Sequence, residues 1–170
     1  MFQVGDKILY PMHGTCIIEA IEEMEILGDN KVCYVLNIPQ LRMQITVPID
    51  KAIKLGIREV AEPEIVEDIL SGFNLGDTDP VIFENQRYCK DVNKKKIKSG
   101  DIYKGTEVIR DLTRKSQRTK LGTDDINMLN NARQIFVSEL MEVKGLSQEQ
   151  AVHLLDEALN YRQEAISNRI

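Results

Sequence analysis

The chain has 170 residues, 42% hydrophobic and 29% charged, with a formal net charge of -5. That composition describes an ordinary globular protein of one domain or two small ones, and no apolar run approaches the roughly 20 residues that span a bilayer. Three scattered cysteines, Cys16, Cys33 and Cys89, do not make a disulfide framework and suit a reducing cytoplasm.

The first 60 residues read as strands. "DKILY" alternates, and "GTCIIEAIEEMEIL" sets Cys16, Ile18 and Ala20 opposite Ile17, Glu19 and Ile21. Gly28 to Asn30 is a hairpin turn, because these residue types tolerate positive φ. "KVCYVLNI" and "RMQITVP" follow, bounded by Pro39 and Pro48, which cannot donate to a ladder. "DKAIKLG" makes a short helical turn before a last strand at "IREV". Four or five short strands in this length predict a small SH3- or Tudor-like barrel over residues 1–61.

From Pro63 onward apolar residues recur at helical spacing. Residues 62–80, with six carboxylates and no lysine or arginine, form an acidic linker and first helix. Asp79 with Pro80, Ser99 to Asp101, Thr123, and the capping box Ser147 to Gln150 mark later helix starts, and Gly145 marks a stop. About five helices of roughly 10 to 20 residues result, a compact all-α second domain over 62–170. In one of them Ile126, Leu129, Ala132, Ile135, Phe136 and Leu140 define a buried face. The fold class is therefore α+β, a β-barrel module followed by a helical one.

"YPMHGTC" places His13 three residues before Cys16. A nucleophilic thiol would need the imidazole in a pocket with an orienting group, and zinc would need about four ligands. Cys16 enters an alternating strand and the remaining cysteines and His153 are scattered, so strand-turn packing is the expected role. No catalytic residue, metal ligand or cofactor is expected, and no phosphate loop, HExxH or nucleophile elbow occurs.

Residues 81–120 hold 12 Lys+Arg against 5 Asp+Glu inside an acidic chain. Arg87, Lys90, Lys94, Lys95, Lys96 and Lys98 crowd one helix, and Arg110, Arg114, Lys115, Arg118 and Lys120 the next. Phe83, Tyr88 and Tyr103 interleave them, a pattern suited to phosphates and bases. A solvated charged face is the competing reading. In the barrel, "LRMQITVP" is a candidate edge strand, open to pairing with another chain's sheet, with Arg42, Gln44 and Thr46 on one face.

The chain resembles the CarD family (CarD/CdnL-type) of bacterial transcription regulators. "VGDKILYPMHGTCIIEAIE", "VPIDKAIKLGIREV", "KIKSGDIYKGTEVIRDL" and "LNNARQIFVSEL" carry the resemblance over nearly the full length. The N-terminal module also resembles the RNA polymerase-interacting domain of transcription-repair coupling factors. The resemblance implies a regulator without enzymatic activity that binds the RNA polymerase β subunit by strand addition, through Met24, Ile26, Arg42, Gln44 and Thr46. It implies that the helical domain contacts promoter DNA at the upstream edge of the bubble, through Gln86, Arg87 and Lys90, with Arg114, Lys115 and Arg118. Open-complex stability would shift because one state is bound better. A monomer without membrane attachment is expected, and exchange of domains across the linker is left open. Two departures weaken the expected grip on DNA. The tryptophan of better-known members is replaced, with Gln86 in its place, and Asp124 and Asp125 stand where members often carry basic residues. Met24 and Thr46 stand where other members have arginine. A protein-only adaptor, whose helical half binds a protein rather than DNA, is the alternative.

Overall fold

A computed structural model describes residues 1–167, with side chains through Asn160. The first five elements with strand pairing are β1 (Lys7–Tyr10), β2 (Gly14–Ile26), β3 (Asp29–Ile38), β4 (Met43–Pro48) and β5 (Arg58–Glu59). They form one antiparallel sheet in the order β4-β3-β2-β1-β5, which leaves β4 and β5 at its edges. The single-turn helix α1 (Ile49–Ala52) follows β4. One sheet face and α1 enclose a core of Ile8, Cys16, Ile18, Tyr34, Leu36, Ile38, Val47, Ala52 and Ile57.

Two local departures from the sequence reading matter. The β2–β3 turn falls at Leu27 and Gly28, one residue earlier than expected, with φ of 54° and 86°. Ile26 pairs with Asp29, so the connection has two residues, and that loop length favours positive φ at both. Glycine meets the demand freely, while Leu27 accepts it at a fully exposed tip. The second departure is a bulge at Glu19: Ile18 pairs with Leu36, but Ala20 pairs with Val35. The extra residue reverses the alternation. Ala20 therefore does not continue the Cys16–Ile18 face, and Ile21 crosses to join Tyr34 on the inner side.

The helices are α2 (Pro63–Gly72), α3 (Val81–Glu84), α4 (Gln86–Lys98), α5 (Ile102–Arg118), α6 (Thr123–Lys144) and α7 (Gln148–Ser167). They bury a second core that includes Val66, Phe73, Cys89, Ile109, Leu112, Phe136, Leu140 and Leu155, each large apolar side chain contributing about 1.5–3 kcal/mol by its removal from water. The expected capping box is present, with Gln150 N donating to Ser147 Oγ at 3.2 Å and Ser147 N to Gln150 Oε1 at 3.0 Å. Asp101 caps α5 by accepting from Tyr103 N and Lys104 N, and Gly145 ends α6 at φ 64°.

Three helical expectations are corrected. The helix expected from Pro80 breaks at Asn85, whose extended backbone and side-chain bond to Tyr88 N start α4 afresh. Asp79 accepts from Val81 N and so opens only the short α3. Thr123 is the first residue of α6, not its cap, and Ile126 is 43% exposed rather than part of the buried face. Residues 73–80 are no free linker: Arg114 donates to the Gly76 and Asn74 carbonyls, and Thr78 Oγ1 donates to Asp111 at 2.7 Å.

The two cores are joined by a tight seam. Arg58 of β5 forms a bidentate pair with Glu139 of α6, at 2.7 and 2.9 Å, and Ala61 N donates to the same carboxylate at 2.8 Å. Arg58 Nε donates to the Gly100 carbonyl. Gly56 and Gly100 pass so closely that a Cβ on Gly100 would lie 2.2 Å from Gly56 O. At the β1–β2 corner, Thr15 N donates to Ser138 Oγ, and a Cβ on Gly14 would meet that oxygen at 2.7 Å. Lys7 and Glu142 pair at the rim.

Candidate functional surfaces

The sheet face opposite the barrel core is read from the register. Asn37 pairs with Gln44, Val35 with Thr46 and Ala20, and Lys31 with Met24. Directly paired residues share a face, and residues two apart along a strand share it too. Gln44 and Thr46 of β4 and Met24 and Ile26 of β2 therefore lie on one face, with β3 between them. The Glu19 bulge makes this so: in unbroken alternation, Met24 and Ile26 would have followed Cys16 and Ile18 inward. Gln44 and Thr46 are exposed, and Met24 and Ile26 half-buried. Gln44 Nε2 donates to Glu19 Oε2 at 2.6 Å, so the bulge residue also positions a side chain of the edge strand.

Arg42 is placed differently from the expectation. It precedes β4, at φ 49° after a 3-10 turn over Pro39–Leu41, and its N–H donates to the Pro39 carbonyl. It is exposed beside the edge, but it does not extend the strand face of Gln44 and Thr46. Pro39 forces the turn that takes Arg42 out of the ladder.

The basic cluster divides into three groups. Arg87, Lys90, Lys94, Lys95 and Lys98 are exposed along α4. Lys90, Lys94 and Lys98 of α4 line a groove together with Asp124, Asn127 and Asn131 of α6 and with Met12. Within it Lys90 Nζ meets Asp124 Oδ2 at 3.0 Å. Arg118, exposed at the end of α5, stacks its guanidinium 3.9 Å from the Phe83 ring centroid, which turns that aromatic into a support for the cation.

The third group points inward. Lys115 is 7% exposed; its Nζ donates to Asp125 Oδ2 at 2.9 Å and to Gln86 Oε1 at 2.6 Å. Arg114, on the adjoining side of α5, donates to Gly76 O at 2.7 Å and Thr78 Oγ1 at 3.0 Å. Lys115 and Arg114, which the resemblance groups with Arg87 and Lys90, therefore do not share the exposed face of α4. Helical spacing puts Lys115 and Arg118 towards α3 and α4, whereas Arg110 and Arg114 turn to the 74–78 segment, where Asp111 accepts from both Thr78 and Arg110. Tyr88 is exposed on α4, while Tyr103 lines a separate groove with Ile69, Phe73 and Leu75.

The His13–Cys16 stretch is a packed corner. Cys16 is fully buried, its thiol donates to the Gly14 carbonyl at 3.4 Å, and burial pushes its pKa up to about 11. The His13 ring packs edge-on to Tyr10 at 4.8 Å, and burial lowers its pKa. Burial likewise raises Cys89, against the opposing pull of the nearby Lys115 ammonium. Among the described residues no cluster of three or more His, Cys, Asp or Glu has metal-binding geometry, and no helix is long and apolar enough to cross a membrane.

Sequence reasoning missed the seam, although Gly14, Gly56 and Gly100 were its visible trace. It also missed the buried Lys115–Asp125 pair, since nothing in linear order distinguishes a buried lysine within a basic run. Comparison with known proteins matches both halves. Residues 2–61 match the CarD-like/TRCF RID domain, and residues 73–156 match the CarD C-terminal domain. "Putative transcription factor YdeB" of Bacillus subtilis (strain 168) is 39% identical over 150 residues, which cover 88% of this chain and 97% of that protein.

Proposed function

The chain belongs to the CarD family, and from that premise we propose that it is a non-enzymatic transcription regulator holding RNA polymerase and promoter DNA on two surfaces of one body. The family is one of transcription factors, and its N-terminal module is of the polymerase-interacting kind. Its partner on the sheet is the polymerase β subunit, added as a strand along β4 with Met24, Ile26, Gln44 and Thr46 beside it and Arg42 at the near end. Its partner on the helices is promoter DNA at the upstream edge of the bubble, with Arg87, Lys90 and Arg118 on phosphates and Gln86 among them. Lys115 and Arg114 support that surface from behind. The work is recognition: a complex bound better in the open state is shifted towards it. Such a role lies in the bacterial cytoplasm.

The observation that carries this reading is the bulged register. It supplies an accessible face of mixed apolar and polar side chains next to an unpaired edge strand. The seam of Arg58, Glu139, Gly56 and Gly100 supports a fixed separation between this face and the lysine-bearing α4.

The test uses the full chain as bait for RNA polymerase, beside Met24→Glu and Thr46→Glu variants. The wild type is expected to retain polymerase and both variants to retain several-fold less. Equal retention by all three refutes the sheet-face assignment, and no retention by the folded wild type refutes the polymerase reading as a whole. For the helices, Arg87→Glu with Lys90→Glu is expected to weaken the polymerase–promoter complex and flatten its salt dependence. The ion pair between Lys90 and Asp124 favours the protein-only adaptor as a second reading. An unchanged salt slope would establish that alternative over DNA contact.

A further inference from the structure

The segment that follows α2 holds one apolar side chain out to solvent on a braced backbone. Leu75 is 83% exposed. A lone exposed leucine is ordinary on a protein surface, but this one is fixed on both sides. Its own N–H donates to the Gly72 carbonyl at 3.0 Å. Asn74 Nδ2 donates to the Ala158 and Leu159 carbonyls of α7, at 2.8 and 3.2 Å. Arg114 takes hold of the Asn74 and Gly76 carbonyls, and Arg110 Nη2 donates to Asp77 O at 3.1 Å. A side chain held in place before a partner arrives has little freedom left to lose on binding.

Leu75 lines a groove of about 310 Å3 between α2 and α5, together with Ile69, Phe73 and the half-exposed Tyr103. Gly72 keeps it open. Its φ lies outside the left-handed region, and a Cβ there would meet only Leu75 Cδ1, at 4.0 Å. Neither backbone geometry nor packing therefore demands glycine at this helical position, where it is a weak helix former. On the opposite wall Tyr103, Glu107 and Arg110 share one face of α5. Seven steps of about 1.5 Å make that wall about 10 Å long, or two helical turns.

The charges around the groove select its occupant. Arg110, the cation of the lining, is already committed, through Nε to Asp111 Oδ1 at 2.9 Å and through Nη2 to Asp77 O. Glu107 pairs with Lys96 at 3.0 Å, and Lys104 falls off the face that Tyr103, Glu107 and Arg110 share. Asp68 in the groove and Asp77 beside it are exposed and form no ion pair among the described residues. Both belong to residues 62–80, which hold six carboxylates and no lysine or arginine. Such a rim repels nucleic-acid phosphates and anionic lipid headgroups, and it attracts a cationic protein segment.

We propose that the α2–α5 groove docks a cationic amphipathic helix of a protein partner, with two apolar side chains one turn apart seated against Leu75 and Tyr103 and with lysines or arginines facing Asp68 and Asp77. Side chains one turn apart are about 5–6 Å from each other, which fits a wall of two turns. This surface is separate from the sheet face and from α4, and the inference does not rest on the polymerase or DNA reading.

The test is fluorescence anisotropy of the full chain with a fluorescein-labelled helical peptide of leucine and lysine, its leucines one turn apart. A copy with glutamate for lysine runs beside it. The lysine peptide is expected to bind saturably, and the glutamate peptide at least about tenfold more weakly. Leu75→Asp should weaken the lysine peptide about tenfold or more, as loss of an apolar anchor does. Gly72→Leu fills the groove; it should abolish binding while its melting point stays at or above that of the wild type. Asp68→Lys with Asp77→Lys should weaken binding about three- to tenfold at low salt and less at high salt. Binding kept by Leu75→Asp and Gly72→Leu but lost on charge reversal shows charge attraction alone and overturns the groove. Equal affinity for the two peptides overturns the cationic partner, and no binding of the lysine peptide overturns the whole proposal. Sedimentation in which the wild type self-associates and Leu75→Asp does not assigns the groove to a second copy instead.

Discussion

Truncating Glu139 to alanine tests whether the two cores behave as one body. Its carboxylate takes two bonds from Arg58 and one from Ala61 N while only 1% exposed, so all three are lost with it. Removing one member of a buried pair costs ~3–5 kcal/mol. Arg58 is 25% exposed, so water partly rehydrates the stranded guanidinium, which places the expected loss near ~3 kcal/mol. For a chain of this size each kcal/mol moves the melting point by about 2–4 °C, so the midpoint should fall by about 6–12 °C. Circular dichroism measures it, and the melt should also broaden or split as the barrel and helices uncouple. Replacing both partners by methionine should recover most of the loss, because no charge is stranded. A shift below ~2 °C for Glu139→Ala would refute the reasoning.

Three further outcomes are expected. Gly100→Ala should destabilise by at least ~2 kcal/mol, since it combines a φ of 74° with a Cβ 2.2 Å from Gly56 O; a thermal melt within ~1 °C of wild type would contradict it. Cys16 has a folded pKa of about 11 against an ordinary 9.0, so the unfolded state loses its proton first, and stability should fall as pH rises from about 9 to about 11. Urea titrations across that window check the slope, and Cys16→Ala should flatten it. Asp124→Asn should leave stability within ~0.5 kcal/mol, as expected for an exposed pair, while it frees Lys90 and raises affinity for forked promoter DNA about two- to fivefold; unchanged affinity by anisotropy would place Lys90 off the DNA path.

What was legible in linear order was whatever depends on near neighbours. Alternating β-branched runs and their proline boundaries predicted the sheet and its edge strand, because those signals act within a few residues. The caps at Asp101 and Ser147 were legible for the same reason, being side-chain bonds over two or three positions. The bulge was not. Glu19 sits in a stretch whose alternation continues smoothly through it, and the phase change shows only in the pairing of Ile18 with Leu36 and of Ala20 with Val35. Asn85 was passed over because Pro80 already offered a helix start, and only the packing of Ile82 and Cys89 into one core decides that two helices serve better than one.

The same distinction explains why the candidate surfaces were half visible. Charge and exposure are partly readable from composition, so the basic run on α4 stood out against an acidic chain. Which of its members face outward depends on contacts between residues 10 to 40 positions apart: Lys115 with Asp125, Arg114 with Gly76, Gln86 with Lys115. Each ties a cation or an amide of that run to a neighbouring element instead of leaving it on the open surface. The net effect is a smaller charged footprint than the count of lysines and arginines suggests, with Asp124 reducing it further at Lys90. A footprint of that size suits a protein carried to its promoter by the sheet face rather than by DNA affinity of its own. Binding to a long DNA duplex should accordingly be weak in the absence of polymerase, and tight, salt-sensitive binding by the chain alone would show that the helices dominate.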